Sequence, residues 1–127
     1  MASFRNRATT GVSTTENYTG TLVQGGNLLY TFATLPGTVT LTLVSLTPSV
    51  FTSGIGLDIG TWDGTTCTPI LGSASALPGT VLTGTATIST NLCVKVYDPG
   101  VFAPGFSTTF QITVVHQVSS ITTITTS

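Results

Sequence analysis

Gly37-Thr38-Val39-Thr40-Leu41-Thr42-Leu43 alternates hydroxyl and aliphatic side chains without a break from Thr38 to Leu43. Threonine, valine and the aromatic residues fit a pleated, half-buried surface, and a period of two puts Val39, Leu41 and Leu43 on one face with the hydroxyls on the other. The phase then slips at Val44 and Leu46, which predicts a bulge near Leu43 or burial on both faces there. This stretch reads as a strand of a sheet that packs on one side only.

The same grammar recurs on both sides of it. Tyr18 to Val23 and Leu28 to Ala33 read as strands, joined by a Gln24-Gly25-Gly26-Asn27 turn. Leu35-Pro36-Gly37 reads as a further turn, with proline setting φ and glycine taking the left-handed site. In Ile55-Gly56-Leu57-Asp58-Ile59-Gly60-Thr61-Trp62 the aliphatics alternate with Gly and Asp. One face of that strand is therefore bare, and something is expected to lie close against it. Pro69 to Leu71, Leu92 to Tyr97 and Thr108 to Val115 complete the set, the last pointing Phe110, Ile112 and Val114 inward. The expected fold is all-β: a single antiparallel, jelly-roll-like β-sandwich of about eight strands. Residues 16–117 form the sandwich, residues 1–15 read as an N-terminal arm, and residues 118–127 as a Thr-rich C-terminal tail.

Composition narrows the function classes. Only 6% of the 127 residues are charged, against roughly 25% in ordinary proteins, while threonine occupies 29 positions. A net charge of −1 offers nothing to nucleic acid or to an anionic membrane. No apolar run approaches the ~20 residues of a spanning helix, and Met1-Ala2-Ser3-Phe4-Arg5 has no hydrophobic core of a signal peptide. Either a leader has been removed, or the protein is made and assembled in the cytoplasm. A surface of uncharged hydroxyls suits extracellular, cell-surface or virion material.

Catalysis needs a positioned acid, base or nucleophile. His116 is the only histidine, and no serine stands in a Gly-x-Ser-x-Gly elbow. A histidine near a strand end reads as a solvated or hydrogen-bonded side chain, so the chain is read as a non-enzyme. Glu16, Asn17, Asp58, Asp63 and Asp98 are the candidate metal oxygens, but no Asp-x-Asp loop gathers them. Neither a metal nor another cofactor is expected. Asp63-Gly64 and Asp98-Pro99 read as turn caps, and Asp58 is either exposed or paired with Lys95. Cys67 and Cys93 are too far apart for a Cys-x-x-Cys motif. They read as a structural disulfide, with two buried free thiols as the alternative.

Tyr30-Thr31-Phe32, Gly37-Thr38-Val39-Thr40-Leu41, Gly56-Leu57-Asp58-Ile59-Gly60 and Cys93-Val94-Lys95-Val96-Tyr97-Asp98 together resemble the bacterial pre-peptidase C-terminal domain family, over roughly Tyr18 to His116. The resemblance implies a small secreted module, often appended to proteases and other exported proteins, of which some members bind collagen or polysaccharide and some use calcium. Where that family has Gly-x-Tyr, this chain has Thr90-Asn91-Leu92.

Three functions are therefore expected. The first is a non-enzymatic extracellular β-sandwich module with structural or adhesive work, its partner a protein or cell-surface polymer. The second is a self-assembling subunit of a fibre, surface layer or virion coat, a homo-oligomer or filament held by its arms through Arg5, Arg7, Ile121 and Ile124. The third is a carbohydrate-binding module using Trp62, Tyr97 and Asp58 as its ligand surface.

Overall fold

The computed structural model describes residues 10–48 and 53–120. Its strands are β1 (Thr10–Val23), β2 (Asn27–Thr47), β3 (Ile55–Trp62), β4 (Cys67–Ala76), β5 (Val81–Ala86), β6 (Thr90–Tyr97) and β7 (Ser107–Ser120). All pairings are antiparallel, and they form two four-stranded layers. One runs β1-β7-β2-β5 and the other β2-β6-β3-β4. Among the described residues no helix is long and apolar enough to cross a membrane.

Strand β2 belongs to both layers. Asn27 to Thr34 pairs with β6, whereas Leu35 to Thr47 pairs with β7. Leu35-Pro36-Gly37 is therefore not the turn expected between two strands. It is a bend inside one strand, where the register with β7 slips between Leu35 and Thr40. Gly37 takes φ 144°, and a Cβ there would meet Gln117 Cγ at 2.6 Å. Seven strands thus fill the eight places of a sandwich, because β2 serves in both layers, in keeping with the expected number of about eight.

The bulge expected near Leu43 is present as a register shift between Leu43 and Ser45. A distant segment meets β2 at the same point. The Leu77–Thr80 turn docks there, with Leu43 N–H donating to Thr80 O (2.9 Å) and Gly79 N–H donating to Leu43 O (2.8 Å).

The boundaries at 15 and 117 fall inside strands. Thr10 pairs with Ser120, Gly11 with Ser119 and Val12 with Val118, so β1 and β7 run on together past the expected sandwich. Gly11, Val12 and Ser13 are exposed, so this end carries no buried face to leave an alternating signature. Arg5, Arg7, Ile121 and Ile124 lie outside the described residues.

The inward faces supply one core. Leu41, Leu43, Leu57, Val94, Val96, Ile112 and Val114 are fully buried, and Phe110 nearly so. Leu28 and Tyr30, expected inside, are partly buried and pack against it.

Asp98 holds one end of the sandwich together. Its Oδ2 accepts from Gly25 N–H (2.8 Å), and its Oδ1 from the N–H groups of Gly100 (2.8 Å), Val101 (3.0 Å) and Phe102 (3.2 Å). The β1–β2 turn is thereby tied to the loop after β6. Burial alone would raise the carboxyl's pKa, but these four donors outweigh it and hold it below the ordinary 3.8. A depressed folded-state pKa contributes stability above the unfolded value, and that contribution is lost as pH falls through the folded value. Asp98→Asn should therefore lower the melting temperature at pH 7. It should also flatten the fall in melting temperature as pH drops below the ordinary carboxylate value of 3.8. A variant with the wild-type acid slope would contradict this role.

Candidate functional site

The two lateral sides of the sandwich are finished differently. On one side β1 ends the first layer and faces the Asn27–Thr34 half of β2, which ends the second. That side is closed. The Tyr18 and Tyr30 rings stack at 4.7 Å, and Tyr30 donates its hydroxyl to Thr19 O at 3.3 Å. Gly20 leaves the room they need, since a Cβ there would meet Tyr30 Oη at 2.7 Å.

His116 is fully buried beside them, its Nε2 3.0 Å from Glu16 Oε2 and its ring centroid 4.5 Å from that of Phe32. Of the two states expected for it, solvated or hydrogen-bonded, His116 takes the hydrogen-bonded one. The signal was its parity. His116 continues the inward series Phe110, Ile112, Val114, just as Glu16 shares the inward phase of Tyr18. The pair pins β1 to β7 within the layer, and the packed Phe32 ring gives it a structural setting.

On the opposite side, β4 ends one layer and β5 the other, and the two edges stand apart. Between them lies a cleft of about 490 Å³. Its floor is apolar: Val39, Ile59, Leu71, Ala86 and Leu92. Ile70 and Ile88 stand at its rim, 71% and 66% exposed, the two most exposed large aliphatics among the described residues.

The cleft has a sequence cause. Along β5, Leu82, Gly84 and Ala86 take the inward positions, and Gly84 lies directly opposite Val39. A Cβ built on Gly84 finds no atom within 4 Å. Glycine and alanine leave the inner layer thin where a Leu or Phe would have closed it. Thr83 and Thr85 stand on the outward phase, and the mouth carries hydroxyls but no charged residue.

The expected ligand surface of Trp62, Tyr97 and Asp58 lies elsewhere, on the outer face of the second layer. All three share that face, but the structure does not join them into one platform. Tyr97 is opposite Gly56, and its ring occupies the space where a Cβ of Gly56 would sit. Asp58 is opposite Lys95 on one side and Gly72 on the other. Burial pushes its carboxyl above 3.8, and Lys95 pulls it back only in part. Between Asp58 and Trp62 the backbone of Thr68–Pro69 crosses over Gly60, held there by the Cys67–Cys93 disulfide. The bare face of β3 is thus covered by the protein's own Tyr97 ring and β4 backbone.

Asp63 and Asp98 are turn caps. Asp63 Oδ1 accepts from the N–H groups of Thr65 (2.8 Å) and Thr66 (2.7 Å), which hold its carboxyl below 3.8. Among the described residues no three of His, Cys, Asp and Glu gather as a metal site would require.

No family model matches the chain, and no curated protein matches it. Among solved structures, its fold is similar to that of Aeromonas hydrophila PliG, a periplasmic lysozyme inhibitor of g-type lysozyme. The TM-score is 0.52 at 13% identity, over 82% of this chain and 86% of that one. At that identity the likeness is one of fold.

Proposed function

We propose that this chain is a non-enzymatic β-sandwich module that works by binding, in a structural or adhesive role outside the cytoplasm. The observation that carries the reading is the open, apolar, uncharged cleft on one side of a sandwich that is sealed on the other. Exposed aliphatics at the rim of such a cleft mark a binding surface in a soluble domain. The disulfide supports an oxidising compartment, extracellular or periplasmic. The resemblance to secreted pre-peptidase C-terminal modules points the same way. PliG, similar in fold, is an inhibitor of a lysozyme, so a protein partner without turnover is in keeping with this architecture.

A second reading, a self-assembling subunit of a fibre, surface layer or virion coat, is favoured by β1. It runs fourteen residues with pairing on one side only, and its outward positions from Gly11 to Thr21 are glycine, serine, threonine and asparagine. Few charges oppose a neighbour there. The carbohydrate reading has less support, because the Thr68–Pro69 backbone separates Trp62 from Asp58 and Tyr97.

Purified protein should be retained saturably on isolated cell-envelope polymer or on immobilised envelope protein, without consuming it. Turnover of the bound material would overturn the reading. Sedimentation that grows with concentration, in the absence of any such partner, would select the assembling subunit instead.

A further inference from the structure

The open side offers two different things at once, and they are complementary to one kind of ligand. The first is the apolar cleft. The second is the outer edge of β5, whose six residues pair with β2 alone. An edge strand paired on one side presents an unused row of N–H and C=O groups. Natural edges are blunted by lysine, proline or bulges. β5 has none of these, and its register with β2 is unbroken from Val81 to Ala86. The facing edge, β4, does have them: Pro69 lies within it, and its register against β3 shifts twice.

We propose that this side receives an extended, uncharged peptide segment of a partner protein as an added strand on β5, with aliphatic side chains at alternate positions filling the cleft. The proposal rests on the binding-module reading and names its partner. A backbone in the extended state satisfies the unused row on β5, and its inward side chains fall over Val39, Ile59 and Leu71. Six residues of β5 span roughly 20 Å and so set about three inward positions on the added strand. Charge complementarity fixes the rest of the chemistry. Neither β4, β5 nor the segment 87–89 carries a charged residue, so an ionised side chain would enter the cleft without a counter-charge. A second copy's β5 is a poor occupant. Its own inward residues, Leu82, Gly84 and Ala86, are too small to fill the space that Gly84 leaves empty. A free aliphatic chain would fill the cleft but leave the β5 backbone row unused.

The probe is acetyl-Thr-Val-Thr-Leu-Thr-Leu-amide, titrated calorimetrically into the intact chain, beside an analogue N-methylated at alternate residues and beside decanol. The hexapeptide should bind, and the N-methylated analogue at least tenfold more weakly. Gly84→Leu, at a glycine without positive φ and with open space around it, should keep or raise the melting temperature and weaken peptide binding at least tenfold. Ala86→Leu provides the same block should Gly84→Leu fold poorly. No peptide binding up to millimolar concentration, or binding indifferent to both cleft variants, overturns the proposal. Equal binding of the N-methylated analogue, or decanol displacing the peptide while N-methylation changes nothing, overturns it in favour of an aliphatic-ligand site. Saturable retention on envelope material that persists in Gly84→Leu would sink this site alone and leave the binding-module reading standing.

Discussion

Phe110→Ala should destabilise the protein by about 3–5 kcal/mol, the largest loss expected from a single truncation. Phe110 is 1% exposed near the start of β7, opposite Gly20 of β1 and Leu46 of β2. Its ring meets Tyr30 edge-on at 6.3 Å, so it joins the core of the first layer to the closed side. The void left by alanine has little to collapse into it. Gly20 offers no side chain, and Tyr30 is already held by its stack on Tyr18. Urea unfolding should show a lower midpoint with an unchanged slope. A loss below about 1 kcal/mol would mean that β7 is not packed as described.

Removing the disulfide should cost nearly as much. Cys67 and Cys93 are 26 residues apart in sequence, and closing a loop of that length in the unfolded chain is worth about 3 to 4 kcal/mol. The bond also has a local task, because it holds the start of β4 across Gly60 and against β6. A Cys67→Ala/Cys93→Ala double variant should unfold earlier by that amount. Thiol titration of the unfolded, unreduced wild type should find no free thiol. Two reactive thiols would refute the bridge.

Much of the fold was legible because the alternation is local. Thr38 to Leu43, Leu92 to Val96 and Phe110 to Val114 each carry their buried face in their own sequence, and the slip at Val44 and Leu46 announces the bulge. The two Leu-Pro-Gly-Thr stretches show where that legibility ends. At Leu77 the words make a closed turn, with Thr80 N–H donating to Leu77 O at 2.8 Å and Gly79 at φ 98°. At Leu35 the same words make a bend in a continuing strand. What differs is the surroundings: β7 pairs with Leu35 and then again from Thr40 onward, and Gln117 packs over Gly37.

The site was harder to read for a related reason. Trp62, Tyr97 and Asp58 do share a face, but only the register of β3 with β6 brings Tyr97 to it, and the crossing of Thr68–Pro69 over Gly60, next to a disulfide between distant strands, divides it. The cleft arises from Gly84 and Ala86, two small residues in a Thr-rich segment. Only the register that sets Gly84 opposite Val39 turns their smallness into an opening.

Residue-resolved amide hydrogen exchange on the free protein tests most directly whether the β4–β5 side is open. Half of the β5 amides should bond to β2 and the other half point away from it. Protection should alternate along Val81 to Ala86, slow at the positions bonded to β2 and nearly absent at those between. Uniform protection of all six would mean that the edge is already covered, and the open binding side would be contradicted.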